Sequence, residues 1–390
     1  MENKKKDDLF HLMKRGVVMK KKLYYTLACT VMSTAFLTAC GTEDGTSDNV
    51  KEKAETKTVT DQLDRKVEIS SEVSRVVTGS ILPFYSTWFV ATNSTKELVG
   101  MHPESASAAR NSVLASISPE VLNASTDFLQ NGEVNIEELL KLEPDVYFES
   151  SADQTTLDKL TEAGIPTVAI KAVDAAEAEP LATFNSWLEV LRQISSTDER
   201  VNMFLEKGKT VQAELDVKLK QLTENDKPRV MFLFRHTDNS ITVAGSNFFS
   251  SQWLAATGAI NVAAEIDGTK EVNMEQIYQW DPDIIYITNF TSTQPEDLKE
   301  NKVTGQDWTQ LTAVQEGKVY KIPLGIYRWF PPSGDAPLML KWLAQNNHPD
   351  LFTYDMKEEI KQYYQEFYNY TLTDEEVEKI LHPSSDAAIQ

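Results

Sequence analysis

Cysteine is nearly missing from this 390-residue chain: Cys29 and Cys40 are the whole supply. Cys29 lies in an N-terminal apolar run that reads as removable. Disulfides are therefore excluded from the folded part, and so is a thiol nucleophile. Histidine is scarce too. His102, His236, His348 and His382 are the four beyond the N-terminal region, three of them in His-Pro pairs and none at metal-ligand spacing. That argues against a directly bound zinc or manganese ion. The sequence has no Gly-x-Ser-x-Gly, no His-Glu-x-x-His, no Walker loop and no dinucleotide glycine fingerprint, which leaves an exported enzyme as the weaker class of function. Positive charge is lacking as well. The first forty residues hold eight Lys/Arg and three Asp/Glu, leaving 30 basic against 56 acidic residues afterwards, a net charge of −26. A surface this acidic excludes nucleic acid and an electrostatic membrane patch as partners.

What is present begins at the N-terminus. Lys20–Lys22 precede an apolar run from Leu23 to Leu37, and Leu-Thr-Ala leads into Cys40. Basic, apolar and small-residue segments in that order describe a secretory signal, too short for a bilayer span. The cysteine after Leu-Thr-Ala resembles the bacterial lipobox, which implies lipidation at Cys40 and translation from Met19. Residues 41–58 are polar, without aromatics or periodicity, and read as a disordered tether.

The chain then contains one unit twice. Glu133–Phe148 reads EVNIEELLKLEPDVYF and Glu271–Tyr286 reads EVNMEQIYQWDPDIIY. In each, Asn135 or Asn273 is expected to N-cap a short helix, with Glu138 or Gln276 completing a capping box. Pro144 or Pro282 ends the helix, and an apolar run then supplies a buried strand. Two such units predict two similar lobes. Around them, short apolar strands alternate with helical spacing, which predicts α/β lobes with mostly parallel sheets. Ser196 and Glu199 form an expected capping box before an unbroken helical pattern from Thr197 to Leu222, about 39 Å long at 1.5 Å per residue. The expected domains are residues 59–195 and 223–390 as lobes, with 196–222 as the helix joining them.

Taken together, the lipobox, the hairpin before Ile69, both Asn-x-Glu units, the single long helix and the late His348-Pro349-Asp350 resemble the class III substrate-binding lipoproteins of ABC importers. That resemblance implies two Rossmann-like lobes clamping a ligand in the cleft between them. It further implies a monomer anchored on the extracytoplasmic face of a cell membrane, on a Gram-positive surface, delivering to a permease dimer. Glu137 and Glu275, at matching positions, would then dock on permease arginines.

Family ligands sit on loops after strands. The candidates there are Tyr85 and Trp88 in the loop Ile81–Trp88, Arg235 after a buried strand, Asn247 before a helix, and Tyr327, Arg328 and Trp329. Arg235 leads, Arg328 follows, and Arg110 is a weaker third, while Phe248, Phe249 and Phe330 read as core. Arginines among aromatic walls suit a flat or chelated anion. The expected ligand is an iron complex, a siderophore or haem, with a molybdate- or tungstate-type oxyanion or cobalamin as alternatives. No cofactor is expected, since a metal would arrive only inside the ligand.

Overall fold

The computed structural model describes residues 55–173 and 180–388. The expected signal, the expected lipobox with Cys40 and most of the expected tether lie outside the described residues. Among those described, no helix is long and apolar enough to cross a membrane. Among the described residues the first strand, Thr56–Thr60, begins inside the expected tether and pairs antiparallel with Lys66–Ser70.

Two larger sheets organise the two lobes. The first is parallel throughout, in the order Leu98–Met101, Val76–Thr78, Val146–Ser150, Thr167–Ile170. The second runs Thr269–Val272, Ser240–Ala244, Arg229–Thr237, Ile284–Ile287, Val319–Lys321. Its first two strands are antiparallel and its last three are parallel neighbours. Alternate side chains of the central strands enter different cores, as the two-residue period of a strand requires. Val76, Val146 and Phe148, with Val230, Phe232, Ile284 and Tyr286, join one core shared by both lobes. Val77 and Tyr147 join an outer core under the first sheet, and Met231, Leu233, Ile285 and Ile287 another under the second.

The duplicated unit builds the same joint in each lobe. Asn135 Oδ1 accepts from Glu137 N at 3.0 Å, and Asn273 Oδ1 from Gln276 N at 2.9 Å. Each helix ends ahead of its proline, and the residue before each proline has positive φ, Glu143 at 42° and Asp281 at 36°. The aspartate after each proline then grips the first strand of its sheet. Asp145 Oδ2 accepts from Arg75 N at 2.9 Å, and Asp283 Oδ2 from Arg229 N at 2.7 Å. The arginine so held reaches back to the helix: Arg75 Nε donates to Leu142 O and Arg229 Nη2 to Trp280 O. Leu142 and Trp280 are equivalent positions of the repeat.

Three local expectations need correction. Neither Glu138 nor Gln276 closes a capping box; the Glu138 carboxylate is taken by Lys141 at 2.7 Å. The long helix runs Asp198–Leu219, so the cap position falls on Thr197 and not Ser196, and no side chain caps it because Thr197 Oγ1 bonds Ser195 Oγ instead. The expected loop Ile81–Trp88 is the start of a helix, Phe84–Thr92, whose residues 84 to 91 are all buried. A helix apolar on every side shows no amphipathic period to read.

The long helix buries Val201, Phe204, Gly208, Val211 and Leu215 against the shared core. The C-terminal helices close that core from both lobes. Trp342 packs on Tyr286 of the second sheet (5.3 Å between ring centres), while Tyr368 meets Phe204 of the long helix and Phe89 of the first lobe (5.9 and 5.6 Å).

Candidate functional site

In open α/β sheets the loops at the carboxyl ends of the strands form the ligand crevice. Here those loops, from both lobes, bring together an unusual set of poorly satisfied groups. Arg328 follows the strand Val319–Lys321 and is 1% exposed, yet among the described residues it has no acidic partner and its Nε, Nη1 and Nη2 make no well-aligned hydrogen bond, the Tyr327 hydroxyl being the neighbour that feels it. Its guanidinium lies 4.5 Å from the centre of the Phe290 ring. Tyr327 stands beside it and meets Tyr85 of the first lobe edge-on, with ring centres 5.8 Å apart at 82°. Both phenol oxygens are buried and make no well-aligned hydrogen bond, although the Tyr327 oxygen lies close enough to Arg328 to feel its donors. Burial pushes Tyr327 up to about 12 and Tyr85 well above the ordinary tyrosine value, with Arg328 pulling the other way. At neutral pH both hydroxyls are therefore intact donors.

Arg235 and Glu104 stand at the rim. The Arg235 side chain is 43% exposed and stands 3.9 Å from the Glu104 carboxylate across the cleft. Its guanidinium is 5.7 Å from Phe290, so one ring lies beside both arginines. The loop bearing Phe290 is held from beneath by Lys321, whose Nζ donates to Thr288 O, Thr291 O and Thr293 O at 3.0, 2.6 and 2.8 Å. Burial, and then the nearby Arg328 charge, pull that lysine down to about 7.

A buried guanidinium without an acidic partner costs several kcal/mol. Together with two phenols that make no well-aligned hydrogen bond it makes a donor-rich site, matched by an anion carrying several acceptor oxygens. Among the described residues no group of three or more His, Cys, Asp and Glu could hold a metal ion.

Of the residues singled out from sequence, the structure brings Tyr85, Tyr327 and Arg328 together and leaves Arg235 at the rim. Trp88 packs on Phe148 and points its indole nitrogen at Glu97 (3.4 Å) in the first lobe. Trp329 is fully buried and donates to Asp335 at 3.1 Å. Asn247 is exposed, has φ 51° and bonds Asp267. Phe248, Phe249 and Phe330 pack on one another, and Phe248 and Phe330 also on Phe234. Arg110 is exposed, and His236 is bonded through both ring nitrogens to Thr293 and Gln306. Sequence reasoning missed Glu104 and Phe290. Phe290 follows a buried strand as Tyr327 does, and the same rule applied there would have found it. Glu104 gave no signal, since an acid in a first helical turn already complements the helix dipole. Glu137 and Glu275 are both exposed in the first turns of their capped helices.

Comparison with known proteins agrees with this architecture. The profile of the Periplasmic binding protein family matches residues 85–324. The molybdate-binding protein MolA of Haemophilus influenzae is 28% identical over 329 residues, covering 78% of this chain and 88% of its own. The Fe(3+)-citrate-binding protein YfmC of Bacillus subtilis is 24% identical over 205 residues, 52% of this chain and 61% of its own. Among solved structures, a periplasmic solute binding protein from Veillonella parvula superposes with a TM-score of 0.74 at 34% identity, covering 84% of this chain and 97% of that one.

Proposed function

This chain belongs to the periplasmic binding protein family, the extracytoplasmic receptors of ABC transporters, and we propose that its ligand is a small oxyanion of the molybdate or tungstate type. One observation carries the reading: the sealed Arg328 guanidinium, without an acidic partner among the described residues and flanked by two phenols that make no well-aligned hydrogen bond. The kinship with a molybdate-binding protein supports it. The iron complex favoured from sequence becomes the second reading. Trp88 and Trp329, which would have walled a larger ligand, are turned into cores, whereas the half-exposed Arg235 over Phe290 keeps a ferric-citrate-type anion in contention. A metal enters, on either reading, only as part of the ligand.

Calorimetric titration of residues 42–390 with molybdate, tungstate, ferric citrate, haem and cobalamin decides between them. Saturable sub-micromolar binding of molybdate or tungstate, lost in Arg328→Met, is the expected result. Binding of ferric citrate alone would move the assignment to the second reading, and no binding at all would end both.

The same proposal includes a monomer anchored through Cys40 that docks on a permease dimer through Glu137 and Glu275. The exposed, duplicated position of the two acids supports docking, since a two-point contact needs matched marks. Cells carrying Glu137→Ala with Glu275→Ala, or Cys40→Ser, are expected to lose ligand uptake while the purified variants keep wild-type affinity. Unchanged uptake would remove these roles.

A further inference from the structure

Directly behind the ligand loop lies a wholly buried carboxylate. Asp335 has no ion-pair partner among the described residues and accepts from four neutral donors. Its Oδ2 takes Ile326 N at 2.9 Å, Trp329 Nε1 at 3.1 Å and Tyr364 OH at 2.8 Å, and its Oδ1 takes Tyr368 OH at 2.9 Å. Ile326 and Trp329 bracket Tyr327 and Arg328 in the chain, so the carboxylate pins both ends of the segment that presents the site. The tyrosines come from one helix, Met356–Tyr368, whose Tyr363 also donates to Gly334 O. Tyr368 packs on Phe89, one turn along the helix that carries Tyr85. Gly325 completes the arrangement. A Cβ there would run into Asp335 Oδ2, Tyr364 OH and Trp329 Nε1, so only glycine lets the loop close this tightly on the carboxylate.

We propose that Asp335 is the positioning residue of the ligand site: it fixes Tyr327 and Arg328 in receiving geometry before the ligand arrives. Through Tyr368 it also sets their spacing from Tyr85. The inference rests on the reading that Arg328 holds the anion. Its physical basis is that a loop ordered in advance spares the ligand the entropic cost of ordering it. Charge-assisted hydrogen bonds are strong enough to do so.

Asp335→Asn keeps the shape but turns one acceptor into a donor facing donors. Loss of one or two charge-assisted bonds predicts affinity for molybdate, or ferric citrate if that is the anion bound, weaker by about tenfold to a hundredfold. The binding entropy should become less favourable. Hydrogen exchange in the ligand-free variant should speed up across residues 323–335 and stay unchanged in the helix Asp198–Leu219, which a general loss of stability would not produce. Tyr368→Phe, which removes one donor far from the ligand, should show the same pattern at smaller size and serves if Asp335→Asn does not fold. Unchanged loop exchange, or affinity within twofold of wild type, overturns the proposal. Arg328→Met measured in parallel keeps the two ideas apart: if that variant binds normally, the anion reading falls, whereas the exchange result still decides what Asp335 does.

Discussion

Arg328 holds its charge where charge is most expensive, and the consequence reaches beyond binding. Removing a buried group that lacks partners relieves its desolvation cost, about 1–3 kcal/mol for a neutral group and more for an ion. Arg328→Met is thus expected to abolish ligand binding yet raise the melting temperature of the ligand-free protein, as read by scanning calorimetry. A lower melting temperature would mean that the guanidinium is stabilised by something other than a ligand. Sequence reasoning ranks Arg235 above Arg328, and a backbone irregularity explains the reversal. The pairing of Arg229–Thr237 with Ser240–Ala244 shifts register between Thr242 and Val243, opposite Arg235 and Leu233. A bulge of this kind re-aims side chains and leaves no trace in an apolar run. Arg235 consequently sits at the rim.

The proposed ligand loop, Pro323 to Asp335, is the element on which pH should act. Burial lifts the Asp335 carboxyl to about 6 from an ordinary 3.8, against the pull of its four donors. Between those values the folded state binds more protons than the unfolded chain. The stability this group contributes is accordingly complete below its unfolded value and is lost as pH rises through about 6. A displacement near two units corresponds to roughly 3 kcal/mol. Half-buried His102 and buried His236 and His348 shift downward and tilt stability the opposite way over neighbouring pH. The comparison is therefore wild type against Asp335→Asn in urea melts. The stability difference between them should favour wild type more at pH 4.5 than at pH 7.5, and a pH-independent difference would contradict this assignment. At this scale the sequence was readable where local chemistry was strong. The Asn caps, the pre-proline stops and the strands after them all stand where the repeat put them. The helix Phe84–Thr92 was hidden because burial on every side erases its period, and the Asp335 staple was hidden because its donors lie up to 33 residues away.

Across the whole molecule, the two-lobed plan was legible in the duplicated unit, but the role of the tail was not. Helices Ala336–Asn347 and Met356–Tyr368 join the second sheet, the long helix and the first lobe into one apolar core. Amphipathic spacing marks which face of a helix is buried without saying against what. With so much of the core held in common, the folded body should unfold in a single calorimetric transition, with van't Hoff and calorimetric enthalpies equal. Two resolved transitions would show that the lobes are energetically separate. The sealing of Tyr85, Tyr327 and Arg328 between those lobes also sets a clock. A ligand can touch the guanidinium only while the cleft stands open, so capture cannot outrun opening however concentrated the ligand becomes. Residence time is then a property of the protein's own breathing as much as of the ligand's fit.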